Sequence, residues 1–346
     1  MTMNSTTTIG LDLGDRYSHL CVLDQAGEVE ERARIATTRR GLTQRFARCA
    51  AARVVLEAGC HSRWASELLN QLGHEVIVAN ARQLPLIYAS GRKDDVSDPE
   101  KLARLGRADV TLLKPIMHRG RTAQNDLSVI KARDALVRAR TGLINAVRGM
   151  VKSSGERIPS CASSSFAKKA RDAVPAGLVP ALGPLIAMIG EHSKQIREYD
   201  KAIEELAKTA YPETEVLRQV DGAGPITALA FVLTLEDPSR FARSRNVGPY
   251  LGLCPRRHQS GDTDRQCRIS KAGDTYLRKL LVQCAHHVLG PFGKDSDLRT
   301  WGLRLAERGG TSAKKRAAVA VARKLAVLLH RLWTTGEQYQ PTGYAS

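Results

Sequence analysis

Residues 8–14 run Thr8-Ile9-Gly10-Leu11-Asp12-Leu13-Gly14. A short β-branched and aliphatic run of this kind reads as a buried strand, here 8–13, with a carboxylate near its end. Two further strands follow at 18–23 and 28–35, with Asp24-Gln25-Ala26-Gly27 as the turn between them. A helix over 42–51 leads to a strand at 53–57 that closes on Glu57. A second helix at 63–72 precedes a strand at 75–79.

Three hairpin-linked strands followed by alternating helices and strands is the order of a ribonuclease-H-like (RuvC-like) sheet. The actin and sugar-kinase fold shares that topology but not its chemistry. From Arg121 the pattern turns helical, with Leu127, Ile130, Val137, Ile144 and Val147 on one apolar stripe. Pro159 and the serines from Ser160 to Ser165 break it, and 186–207 carries a second stripe. The expected fold is α/β plus all-α. A RuvC-like domain occupies 1–118, a long helical hairpin 119–211, and a mainly helical domain with a helix–hairpin–helix-like element 212–346. A last helix spans 311–333.

The chain has 346 residues, 53 Lys plus Arg, 35 Asp plus Glu and a formal charge of +18. That excess implies a polyanionic partner. A membrane is disfavoured, because no run reaches about 18 uninterrupted apolar residues and the most apolar stretch holds Pro175, Pro180 and Pro184. The first residues lack a secretion signal, which makes the cytoplasm the expected location. Seven scattered cysteines without a C-x-x-C pair argue for reduced thiols rather than disulfides or zinc.

Asp12 and Glu57 end, or nearly end, apolar strands. Asp95 and Asp98 lie three apart in Lys93-Asp94-Asp95-Val96-Ser97-Asp98, on one face if helical. Four carboxylates brought together repel each other, and Mg²⁺ or Mn²⁺ is the natural compensation. Plainer readings stand beside this one. Asp98 before Pro99 has the form of an N-cap, Asp95 suits a solvated loop, and Glu57 a strand-end charge.

Pro255-Arg256-Arg257-His258-Gln259-Ser260-Gly261 sits in a basic segment that also holds Arg268 and Lys271. Guanidinium groups would hold a phosphate there, with Ser260 as a candidate nucleophile and His258 within reach as a base. Ser260-Gly261 is equally a plain turn signal. Gly222-Ala223-Gly224 before an apolar helix resembles a helix–hairpin–helix turn, where backbone amides meet a phosphate. A plain loop reads the same way.

These segments together resemble the insertion-sequence transposases that pair an N-terminal DEDD, RuvC-like domain with a C-terminal serine-bearing domain, a group that includes the Piv-type invertases. The resemblance rests on Ile9-Gly10-Leu11-Asp12, Leu56-Glu57-Ala58, Lys93 through Asp98, Gly222-Ala223-Gly224-Pro225, Tyr250 through Gly261, and Ile269-Ser270-Lys271-Ala272-Gly273. Pro99 stands where the family commonly has alanine, and His258 where it has an aromatic residue.

The resemblance implies a Mg²⁺ or Mn²⁺ tetrad of Asp12, Glu57, Asp95 and Asp98, and Ser260 as nucleophile. It also implies donor and target DNA as partners, a structured guide RNA and a homo-oligomer, dimer or tetramer. Nucleic-acid contacts are expected from Arg256, Arg257, Arg268, Lys271, Gly222 and Gly224. The expectation is therefore a transposase that cuts and rejoins DNA through a serine. Three alternatives remain: a metal-dependent RuvC-like Holliday-junction endonuclease without a serine intermediate, an actin-like kinase, and a non-catalytic nucleic-acid binder. Against the kinase, the chain shows no clear second glycine-rich phosphate loop after the first domain, and +18 is odd for a small-molecule kinase.

Overall fold

The computed structural model describes residues 7–80, 97–261, 263–310 and 312–343. It divides into two compact units, Met1–His118 and Arg119–Ser346. The first is a mixed α/β unit of RNase-H/RuvC type, and the second is mainly helical.

In the first unit, strands β1 (Thr8–Asp12), β2 (Tyr17–Leu23), β3 (Val29–Ala36), β4 (Arg53–Glu57) and β5 (Glu75–Ala79) form one sheet in the order β3-β2-β1-β4-β5. The hairpin strands pair antiparallel, whereas β1–β4 and β4–β5 pair parallel. Helices α1 (Arg39–Phe46) and α2 (Ser62–Gln71) supply connections. The side chain of Thr38 caps α1 by accepting from the Gly41 amide at 3.0 Å, so this helix starts and ends earlier than the expected 42–51.

Alternation along the strands divides the sheet's two faces. Ile9, Leu11, Val54 and Leu56 join Leu42, Phe46, Ala65 and Leu69 in one core. Gly10 and Asp12, like Val55 and Glu57, therefore belong to the opposite face. There α3 (Ser97–Ala108) buries Leu102 against Val55 and Ala103 against Cys21 and Leu23. Burying a leucine or valine side chain such as Leu102 or Val55 contributes roughly 1.5–3 kcal/mol.

In the second unit, α4 (Arg121–Ser153) and α6 (Val179–Ala210) form the long hairpin, with the short α5 (Phe166–Ala173) packed near its tip. The second long helix begins earlier than the expected 186. Pro180 occupies the first helical turn, where a missing N–H costs nothing, and the helix continues through Pro184. The roots of both long helices share one core with α7 (Thr214–Arg218), α8 (Pro225–Leu235), α9 (Val247–Tyr250), α10 (Thr275–Leu289), α11 (Asp297–Ala306) and α12 (Ala313–Thr335). Strands β6 (Pro255–Ser260) and β7 (Thr263–Ile269) form an antiparallel hairpin outside that core. Among the described residues no single helix is long and apolar enough to cross a membrane.

Candidate active site and nucleic-acid interface

The parallel register sets Leu11 opposite Leu56. Asp12 and Glu57 follow one step later, at the same edge and on the same face of neighbouring strands. Helix α3 is drawn onto that face because Gly10 has no side chain. A β-carbon there would lie 1.8 Å from the Pro99 carbonyl oxygen and 2.8 Å from the Ala103 nitrogen. Gly106 allows the same closeness further along the helix, where Val55 would be 2.3 Å away. The first turn of α3, which carries Asp98, is thereby pressed against the strand that ends in Asp12.

Asp98 lies inside that first turn rather than before it, where a carboxylate suits the positive end of the helix. Its Oδ1 receives Lys101 Nζ at 3.2 Å. Asp95 lies outside the described residues. Among the described residues no group of three or more His, Cys, Asp or Glu is gathered tightly enough to hold a metal ion. The donors nevertheless have the right chemistry: hard carboxylate oxygens on one sheet face, which suit Mg²⁺ or Mn²⁺.

Two histidines that the sequence reading passed over flank this edge. His19 pairs with Asp12 across the β1–β2 hairpin, a position the hairpin reading already implies. His61 Nε2 stands 3.9 Å from Asp15 Oδ1, and Trp64 Nε1 donates to His61 Nδ1 at 3.1 Å. That bond fixes the ring and leaves the neutral imidazole its proton on Nε2.

In the second unit a groove of about 2010 Å³ runs between the β6–β7 hairpin and α11–α12. Eleven lysines and arginines line it against one carboxylate, Asp297. Arg256, Arg268 and Lys271 are among them. Arg257 is directed elsewhere: its Nε and Nη2 donate to both oxygens of Asp264 at 2.7 and 2.6 Å. The sequence reading placed the last helix but not the groove that its cations line. Lys315, Arg316, Arg323, Lys324 and Arg331 recur at two-turn spacing on one face. Trp301 was missed altogether, and Lys324 Nζ lies 4.2 Å from its ring centre.

Gly222 and Gly224 line a separate cleft of about 850 Å³. Gly224 caps α8 and Pro225 opens it. Asp221 steadies this turn by accepting from the Lys294 amide at 2.9 Å. Not every cation of the segment faces solvent. Arg278 is buried, and its Nη1 donates to the carbonyls of Leu251 and Ala272 at 2.9 and 2.8 Å.

A sequence model of the DEDD transposases of IS110 type matches residues 9–155, and one described as "Transposase IS116/IS110/IS902 family" matches residues 214–297. A probable family 20 transposase of Pseudomonas aeruginosa is 30% identical over 350 residues, covering 96% of this chain and 98% of the relative. The chain belongs to the IS116/IS110/IS902 transposase family. The transposase of insertion sequence element IS1111A from Coxiella burnetii is 28% identical over 351 residues, 98% of this chain and 92% of that protein. A pilin gene-inverting protein of Moraxella lacunata is 32% identical over 111 residues, 32% of this chain and 33% of that one.

Family membership corrects one expectation. The domain matched over 9–155 is of the DEDD type, which assigns strand cleavage to a metal-dependent acidic site rather than to a serine nucleophile. The local structure offers Ser260 no activation either. It closes an exposed strand opposite Thr263, and among the described residues no hydrogen bond from a base reaches its hydroxyl. His258 pairs instead across the hairpin with Arg265. The reason is physical: alkoxide formation needs a base within hydrogen-bond reach.

Proposed function

We propose that this transposase cuts DNA as a metal-dependent RuvC-like endonuclease, at the sheet edge formed by Asp12 and Glu57. The observation that carries the reading is their shared face at the ends of adjacent parallel strands, with α3 seated against it through Gly10. Asp12, Glu57 and Asp98, with Asp95 from outside the described residues, would hold Mg²⁺ or Mn²⁺. When bound, such ions supply Lewis acidity at the phosphate and a more acidic water. Rigid strand ends fix the first two carboxylates, and ionised carboxylates act as acceptors that orient a water for attack. Four-way DNA junctions are the substrate class that a RuvC-like site of this kind suits.

DNA as substrate is consistent with family membership. The groove's Arg256, Arg268 and Lys271 would carry its phosphates, and the Gly222–Gly224 turn a further one. A structured guide RNA and a dimeric or tetrameric assembly belong to the same reading. Support for them comes from the family resemblance and, for RNA, from the formal charge of +18. The test is cleavage of labelled four-way junctions and linear duplexes by the full chain, by Asp12→Asn and by Glu57→Gln. Both variants should bind DNA and fail to cut. Undiminished cutting in EDTA would overturn the reading.

A further inference from the structure

The groove between the β6–β7 hairpin and α12 has two unlike surfaces. Its rim is cationic, through Arg256, Arg265, Arg268, Arg304, Arg316 and Arg323. Its floor is apolar, through Leu253, Trp301, Val319, Val327 and Leu328. On α12 the two kinds alternate by turn: Lys315 and Arg316, then Val319 and Ala320, then Arg323 and Lys324, then Val327 and Leu328. Residues 315–331 cover about 24 Å of helix at 1.5 Å per residue.

A duplex presents phosphates and sugars outward and keeps its base faces stacked inside. It could use the rim but would leave the floor without a partner. An unpaired strand offers both chemistries at once, phosphates for the cations and base faces for apolar and aromatic side chains. We infer that this groove takes an unpaired nucleic-acid strand, with phosphates on the rim and bases on the floor. The inference rests on the reading of the groove as a nucleic-acid interface and adds which form of nucleic acid it receives.

The test uses the full chain without divalent cations, so that nothing is cut. Fluorescence anisotropy is followed with a labelled DNA strand, an RNA strand of the same sequence, and the corresponding DNA duplex, each across a salt series. Val327→Glu sets a charge on the floor. It should weaken the strands at least tenfold and leave duplex affinity, which draws on the cationic rim and not on the floor, within about twofold. Val327→Thr nearly keeps the shape and serves if the glutamate variant does not fold; its loss should be smaller and again confined to strands. Arg316→Gln and Arg323→Gln, on the rim, should each lower the salt slope for strand binding by about 0.7.

Comparison of the DNA and RNA arms identifies the strand's source, and stronger binding of either supports the inference. Equal losses for strand and duplex in the floor variants would overturn it, as would a duplex bound more tightly than both strands and lost with Val327→Glu. Failure of every nucleic acid to bind, with no salt dependence, would overturn it too, but by removing the nucleic-acid reading beneath it.

Discussion

The Pro99 carbonyl oxygen occupies the space that a side chain on Gly10 would need, 1.8 Å from where its β-carbon would stand. One missing methyl group thus sets the distance between the strand that ends in Asp12 and the helix that carries Asp98. Gly10→Ala should push α3 off the sheet, at a cost of roughly 2–3 kcal/mol for an overpacked backbone contact. Cleavage should fall far more than DNA binding. Thermal melting and a junction-cutting assay measure the two effects, and unchanged cutting would show that the helix need not approach so closely.

Asp12→Asn removes one of the carboxylates proposed to hold the ion. Mg²⁺ should raise the melting temperature of the parent and not that of the variant, because only a ligand bound to the folded state stabilises it. Equal shifts in both proteins would place the ion elsewhere.

Glu100 accepts from Arg32 Nη2 at 2.5 Å and Arg104 Nε at 2.8 Å. Arg32 first, then Arg104, holds its carboxyl below the ordinary range. A depressed folded pKa contributes stability that is present above the unfolded pKa and lost as pH falls through the folded one. Glu100→Gln should cost roughly 0.5–1 kcal/mol near neutrality. The gap should close as pH falls below the ordinary glutamate range and through the lower folded pKa, where the parent's own carboxyl takes a proton. Denaturant melts at several pH values test this, and a gap that widens in acid would refute it.

Arg278 and Arg323 count alike in the charge balance but do different work. Arg278→Met leaves the carbonyls of Leu251 and Ala272 without their donor and should destabilise the fold by roughly 2–3 kcal/mol. The salt slope of nucleic-acid binding should not change. Arg323→Gln should lower that slope by about one and leave the melting temperature alone. Exchanged outcomes would reverse the assignment.

The sheet was legible because β1, β4 and β5 are short apolar runs between clear turns. The two long helices were legible because their stripes repeat over many turns. The β6–β7 hairpin was not, since nearly every residue in it is exposed. A ribbon with no buried face leaves no hydrophobic alternation to read. The acidic edge was half legible. Asp12 and Glu57 announced themselves at strand ends, but Gly10 looks like any strand glycine until the partner helix is known. The separation of Arg278 from the groove cations was invisible for the same reason, because burial is a property of the fold and not of the residue type.

The exposed hairpin has a thermodynamic consequence. An element that buries no apolar surface draws its order from cross-strand amides, from the Arg257–Asp264 pair and from the Arg278 anchor at its base. Its opening should require far less free energy than global unfolding. Its amide hydrogens should exchange with solvent long before those of β1 and β4, and should slow when a ligand fills the groove. The hairpin is then the part of the second unit whose order is completed by what it binds.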